Sequence, residues 1–376
     1  MSKKGWTTVT LGDIAENISV RVDDPSKSGL DRFVGLVHLD SGSVTVSRWD
    51  SSESVTSTMK RFQAGDVLLA RRNAHLRRAS AVDFQGVCSG DAYVLREKPD
   101  AIVPGLLKYI LNTNRFWEYA IANADGSMST RVKWKHIMDY RVGLQSTDNQ
   151  IQSINILEAS TKLIQAYENI FTSSVSSLKR LGTFSLKEND CSHSLGEFCE
   201  INPKNLSKQQ LQSNDKWKYI DLSSISFPNE FSTLSEISLD NAPSRARRIV
   251  KFGDLLVSTV RPNLMGHGVI EFNHVNLVAS TGYCVLRPYN TSLRHLLLAI
   301  LYSNQFLSHV NSKAKGSNYP AITNNDVMEF KIPNLSDDVF ESISKIATEL
   351  CHNILKIRCQ IPVLDAIRSN LLEKLL

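Results

Sequence analysis

This chain of 376 residues mostly lacks catalytic signatures. No glycine-rich phosphate loop ending in Gly-Lys-Ser/Thr occurs, so there is no case for an ATPase. HExxH and GxSxG are both absent, which excludes a zincin helix and a nucleophile elbow. Its 11 prolines never stand side by side, so the Asn/Asp-Pro-Pro-aromatic site typical of adenine aminomethyltransferases is missing. No apolar run reaches the roughly 18 residues that a membrane span needs. The opening residues lack a signal-peptide core, and a cytoplasmic location is expected. The 6 cysteines form no Cys-x-x-Cys pair. Cys191, His193 and Cys199 are the one cluster of metal-ligand types; their spacing matches no zinc pattern and a fourth ligand is lacking, so no metal is expected. Glu329-Phe-Lys331 has the Glu-x-Lys spacing of some nucleases but stands where a strand should begin, as does its counterpart Asp139-Tyr-Arg141.

What the chain does contain is ordinary for a globular protein: 42% hydrophobic and 22% charged residues, with a net charge of +5. Its length predicts two or three domains. From Asp148 to Leu181 there is no proline or glycine. Leu157, Ile164, Phe171 and Leu178 recur every seven residues there, with Ile154, Ser160, Tyr167 and Val175 beside them. A second such segment closes the chain, with Ile343, Leu350, Ile357, Leu364 and Leu371, and Ile346, Ile354, Ile361 and Ile367 beside them. Both predict long helices with coiled-coil-like seams, and Pro362 predicts a kink in the second.

The chain also repeats itself. Leu11-Gly-Asp-Ile-Ala-Glu16 returns as Leu195-Gly-Glu-Phe-Cys-Glu200, Gly65-Asp-Val-Leu-Leu69 as Gly253-Asp-Leu-Leu-Val257, and Val94-Leu-Arg96 as Val285-Leu-Arg287. From Leu107 to Gly143 the offset is a constant 190. Ile137-Met-Asp-Tyr140 lies on Val327-Met-Glu-Phe330. Two copies of a whole domain imitate the two-fold symmetry of a homodimer within one chain. The expected fold class is α+β. Two homologous, mostly β domains with helices span 1–146 and 185–336; the long helices 147–184 and 337–376 separate and follow them and pair as an antiparallel coiled coil. Within the first domain we expect strands at Thr7–Leu11, Arg32–Leu39, Val67–Ala70, Ala81–Phe84 and Ala92–Leu95, a Gly12-Asp13 turn, a possible hairpin strand at Val44–Val46, loop from Ser47 to Thr58, and one helix from Leu106 to Ala122.

Two loops per domain carry the candidate binding residues. Arg71, Arg72, Asn73, His75, Arg77 and Arg78 follow the Val67–Ala70 strand; Arg261, Asn263 and His267 occupy the matching loop. Arginine can bind guanine, and asparagine adenine, through paired hydrogen bonds, and arginine also grips phosphate. The second pair of loops holds Ser127, Arg131, Lys133 and Trp134 in one copy and Lys313, Lys315, Ser317, Asn318 and Tyr319 in the other. Hydroxyls, cations and an aromatic suit phosphate contact plus stacking, although Trp134 and Tyr319 also suit packing. Arg245, Arg247 and Arg248 form a third basic patch. A solvated basic surface is the plainer reading for each of these stretches taken alone.

Taken together, the pattern resembles the specificity (S) subunit of type I restriction–modification systems over essentially the whole chain. The resemblance is carried by the openings at Leu11 and Leu195, the Gly-Asp strands at Gly65 and Gly253, Arg261-Pro-Asn263, Gly316-Ser-Asn-Tyr-Pro320 through Ile332-Pro333, and both long helices. It departs in the first copy, where Arg71-Arg-Asn73 lacks the proline and Ser129-Thr-Arg131 replaces a proline-bearing segment. The resemblance implies two target-recognition domains, each reading half of a bipartite double-stranded DNA target. The helices would act as a spacer and as the docking surface for two methyltransferase subunits, with restriction/translocase subunits joining the complex. It implies no catalysis and no cofactor on this chain; S-adenosylmethionine, ATP and Mg would belong to the partners. A helix of about 34 residues is roughly 50 Å long, about one to one and a half turns of DNA. The alternatives are a silent interaction or anti-restriction protein of the same fold, or a degenerate methyltransferase or nuclease.

Overall fold

The structure, a computed structural model, describes residues 6–126, 129–186, 193–332 and 336–376. Two compact units divide the chain. One comprises Met1–Ala166 with Gln360–Leu376, the other Tyr167–Cys359.

The sequence repeats are the framework of each unit. In the first, Val67–Ala70 sits in a four-stranded antiparallel sheet between Ala79–Ala81 and Ala92–Glu97, with Ala15–Ile18 on the far side of Ala92–Glu97. In the second, Leu255–Ser258 sits likewise between Gly268–Val269 and Tyr283–Pro288, with Cys199–Ile201 beyond. Each Gly-Asp pair turns the chain into its central strand. Gly65 and Gly253 take φ of 91° and 87°, a region glycine adopts freely. The aspartates are buried, and the duplicated arginines answer them. Arg96 donates to Asp66 through Nε (2.7 Å) and a terminal nitrogen (2.8 Å); Arg287 does the same to Asp254 at 2.8 and 2.7 Å. Each carboxylate also accepts a backbone N–H three residues back, from Gln63 or Lys251 (both 2.9 Å).

The Leu-Gly openings are helix starts. Thr10 caps Leu11–Ile14 with Asp13 closing a capping box, and Ser194 caps Leu195–Glu197 with Glu197. The expected Gly12-Asp13 turn is therefore one helical turn. Gly12 lies against Met138, and Leu11 N donates to Tyr140 O (2.7 Å); in the second copy Gly196 lies against Met328, and Leu195 N donates to Phe330 O (2.8 Å). Those contacts tie each opening motif to the end of its own domain.

Several local expectations shift. Leu106–Ala122 is two helices, Leu107–Ile110 and Asn114–Ala122, because the Thr113 hydroxyl accepts from Phe116 N and starts a new helix. Ser303 does the same between Arg294–Leu301 and Asn304–Lys313. The strand expected at Arg32–Leu39 ends at Val34, and the buried His38 ring accepts from Gly35 N in a 3-10 turn. Thr45 makes a parallel bridge to Ala81 rather than a hairpin. The strand expected at Ala81–Phe84 lies at Ala79–Ala81, and a two-residue strand, Asp50–Ser51, interrupts the expected loop.

The long helices are Thr147–Phe184 and Asp337–Leu375. Leu157, Ile164 and Leu178 are buried and Phe171 half-buried, as the seven-residue stripe predicts. In the first unit Leu157 shares a core with Leu372 and Leu376. In the second, Leu178 shares a core with Ile343, Ala347, Cys351 and Ile354. The beginning of one helix thus meets the end of the other, the antiparallel order. Gly182 permits closest approach: a Cβ there would fall 2.0 Å from Ala299 O. Ile346 and Ile367, read as flanking the seam, are instead exposed. The closing helix continues on both sides of Pro362. No helix among the described residues is long and apolar enough to cross a membrane.

Candidate nucleic-acid interface

The two candidate loops of each domain are bound to one another by backbone hydrogen bonds, in the same way in both copies. Asn73 N donates to Thr130 O (2.8 Å) and Val132 N to Arg71 O (2.9 Å). In the second domain Arg261 N donates to Pro320 O (2.7 Å) and Ile322 N to Thr259 O (2.9 Å). Each first loop then makes a 3-10 turn between two left-handed residues. Asn73 (φ 54°) and Arg77 (φ 48°) flank Ala74–Leu76; Arg261 (φ 50°) and Met265 (φ 50°) flank Pro262–Leu264. Non-glycine residues seldom take this conformation, and here it occurs four times at matching points.

This geometry corrects the pairing of the loops. Arg261 corresponds to Asn73, Pro262 to Ala74 and Asn263 to His75, so the Arg-Pro-Asn signature lies over Asn73-Ala-His75 and not over Arg71-Arg-Asn73.

Side chains on the platform differ between copies. In the first domain Arg71 donates to Asp91 Oδ1 through Nε (3.0 Å) and a terminal nitrogen (2.9 Å), Arg72 lies 3.0 Å from Oδ2, and Arg131 lies 3.9 Å from Oδ1. His75 and Leu76 are exposed at the tip. Lys133 pairs with Asp125 at 2.8 Å, which raises the pKa of the amine and lowers that of the carboxyl. In the second domain Arg261 stacks over Tyr319 with 4.5 Å from its guanidinium carbon to the ring centre, and donates to Asn318 O (3.4 Å). Asn263, Leu264, Lys315, Ser317 and Asn318 are exposed around it. Lys313 lies 3.9 Å from Glu329.

Other expected contact residues are turned inward. His267 is 1% exposed; its Nδ1 accepts from Ser258 N (3.1 Å), its ring stacks on Tyr302, and burial drops its pKa to about 3. It is a buried core histidine at the position of Ala79. Arg78 is half-buried and donates to Leu36 O (2.9 Å) and Arg72 O (3.4 Å), so it braces the loop from inside. Arg77 donates to Asn114 Oδ1 (2.7 Å). Arg247 donates through one terminal nitrogen to Pro243 O (3.2 Å) and Ala246 O (2.7 Å), whereas Arg245 is exposed. Trp134 packs half-buried on Tyr93, whereas Tyr319 is 67% exposed. Ser127 lies outside the described residues, as does Cys191 of the cysteine–histidine cluster.

Sequence reasoning missed Asp91, which follows no motif, and a surface stack in which Arg32 lies 4.3 Å from the Trp49 ring centre and 4.6 Å from that of Phe84. Among the described residues one cluster has metal-ligand chemistry: Glu271, His295 and His352. His295 already uses both ring nitrogens, on Glu271 (2.7 Å) and Thr348 (3.0 Å), and Arg294 lies 3.5 Å from the same carboxylate oxygen. A guanidinium at that carboxylate favours a hydrogen-bonded ion pair over a cation site.

No protein-family model matches the chain, and no curated protein does. Solved structures do. One is a chain from a structure of the type I R-M system concerned with complex assembly and conformational transition; it is 18% identical, covers 100% of this chain and 98% of its own length, and has a TM-score of 0.53. Another is the type I restriction–modification S subunit from M. genitalium, 14% identical, covering 98% of this chain and 96% of its own, with a TM-score of 0.63. At such identities the likeness is one of fold, and it runs nearly from end to end. This chain therefore has the fold of the type I restriction–modification S subunit.

Proposed function

We propose that this chain is the DNA-binding specificity subunit of a type I restriction–modification complex. Each β-rich domain reads one half of a bipartite target. The observation that carries this reading is the platform built twice: one loop geometry, with Arg71, Arg72, Asn73, His75 and Arg131 in one copy and Arg261, Asn263, Lys315 and Tyr319 in the other. Identical scaffolds with different polar side chains suit two readers of different bases. Cations at the rim of each platform would grip phosphates and set register.

On this reading the chain performs no chemistry. Methyl transfer from S-adenosylmethionine would take place on two modification subunits, and ATP with Mg would serve the restriction/translocase subunits. Residues 1–146 and 185–336 act as the readers, and 147–184 with 337–376 as spacer and docking surface. The complex works in the cytoplasm.

The experiment is to co-express the chain with its modification subunit and map adenine methylation over the host DNA. Two short half-sites around a fixed gap are expected. A complex that forms but leaves DNA unmethylated points to a silent or anti-restriction protein. A continuous or palindromic motif rules out two different readers.

A further inference from the structure

The strand framework is duplicated, but one charged group beside the first platform is not. Asp91 ends the turn before the Ala92–Glu97 strand and faces Arg71, Arg72 and Arg131. Its backbone is fixed: Asp91 N donates to Ser89 Oγ (3.2 Å), and Arg71 N donates to Asp91 O (3.0 Å). In the second domain the same backbone bond runs from Thr259 N to Gly282 O (2.9 Å), which identifies Gly282 as the counterpart of Asp91. Arg71, Arg72 and Arg131 then correspond to Thr259, Val260 and Ala321. All four charges are absent together from a domain that folds the same way. The fold does not need them, in contrast to Asp66–Arg96 and Asp254–Arg287, which both copies keep.

The geometry is that of an anion cradle. Arg71 engages one carboxylate oxygen through two nitrogens, and Arg72 takes the other oxygen. The Asp91 side chain is 21% exposed, against 35%, 37% and 50% for Arg71, Arg72 and Arg131, so the carboxylate lies beneath the guanidinium groups. One negative charge cannot neutralise three positive ones, and the surplus is presented outward. Arg72 and Arg131 come from different loops and form a backbone bridge, so the carboxylate joins both halves of the platform.

We propose that Asp91 is a positioning residue of the first reader. It holds the three arginines in the orientation that reads the first half-site, and its charge subtracts from their attraction for phosphate at large. This rests on the function proposed above. Without the carboxylate the guanidinium groups would be free to settle on any backbone phosphate, trading selectivity for sequence-independent affinity.

The test uses the full chain in complex with its modification subunit and compares Asp91→Asn and Asp91→Glu with the parent. The first half-site is identified as the one that Arg261→Ala leaves intact. Asp91→Asn is expected to raise methylation of sites mismatched in that half by about 5- to 10-fold relative to the true target, within the worth of one base contact. Fidelity at the other half stays unchanged. For a non-specific duplex, the slope of log affinity against log salt steepens by about 0.9, one extra phosphate contact. Asp91→Glu, which keeps the charge, restores much of the fidelity. Unchanged fidelity and salt slope in Asp91→Asn would overturn this inference alone. Equal loss at both halves with a lowered melting temperature would overturn it too, because that is a purely structural role. A parent complex that methylates no bipartite motif overturns the functional reading, and Asp91's role with it.

Discussion

Arg261 joins backbone strain, stacking and charge at one point. Its φ of 50° is a costly conformation for a residue with a Cβ, and it directly precedes Pro262, which removes one donor from the turn. The loop bears that cost where the guanidinium lies over the exposed Tyr319 ring. One terminal nitrogen reaches Asn318 O at 3.4 Å, and stacking leaves the remaining N–H groups of the guanidinium edge able to donate in pairs, the arrangement that recognises guanine. Arg261→Ala is expected to weaken discrimination at one half-site by about 1–3 kcal/mol and leave the other untouched. Arg261→Lys should rescue little, because a lysine amine has no planar fork. Methylation of targets mismatched in one half at a time measures both. Equal loss at both halves would show that Arg261 does not belong to an independent reader.

At the scale of elements, the buried aspartate–arginine pairs anchor the central strands. Asp254 is 1% exposed, and its removal would leave the guanidinium of Arg287, itself 21% exposed, without the carboxylate that two of its nitrogens engage. Asp254→Ala is expected to cost about 3–5 kcal/mol, the usual result of breaking a buried pair from one side. Denaturant titration would register this as a lowered midpoint with little change in slope. A midpoint within error of the parent would mean that the turn, and not the ion pair, anchors the strand. These pairs also explain which parts of the fold were legible. Gly65-Asp66 with Arg96, and Gly253-Asp254 with Arg287, were visible because a chain that repeats itself displays its framework twice. The heptad stripes were visible because periodicity depends only on spacing. The fate of single loop side chains was not. His75 and His267 stood in matching windows, yet one is at the tip and the other in the core, because the loops register two residues away from the apparent alignment. Arg77 and Arg78 looked as free as Arg71 until Asn114 and Leu36, distant in sequence, supplied their acceptors. The break at Thr113 could have been read in part, since a threonine directly before an apolar-periodic stretch is a helix-start candidate, although the glutamate or glutamine that would strengthen it three residues later is absent.

For the whole molecule, the decisive feature is what the long helices leave uncovered. On the central helix Leu157 and Ile164 are buried, whereas Ile156, Leu163 and Ile170 are 46%, 46% and 51% exposed. These three also step by seven, so they form a second apolar stripe, about 100° around the helix from the first. A chain that needed its helices only as a brace would gain solubility from charge at those positions. A stripe kept apolar at regular spacing suits a helical or grooved partner surface. Under the proposed function that partner is the modification subunit. Leu163→Glu is therefore expected to leave the chain's own unfolding free energy within about 0.5 kcal/mol of the parent, as exposed substitutions usually do. The same change would place an unpaired carboxylate in the partner interface and abolish co-purification of the modification subunit. Methylation in cells would fall with it, although the Arg261 and Asp91 platforms remain intact. Undiminished co-purification of Leu163→Glu, and of a further variant with Ile156→Glu added, would place the partner on another surface and leave the stripe without a role.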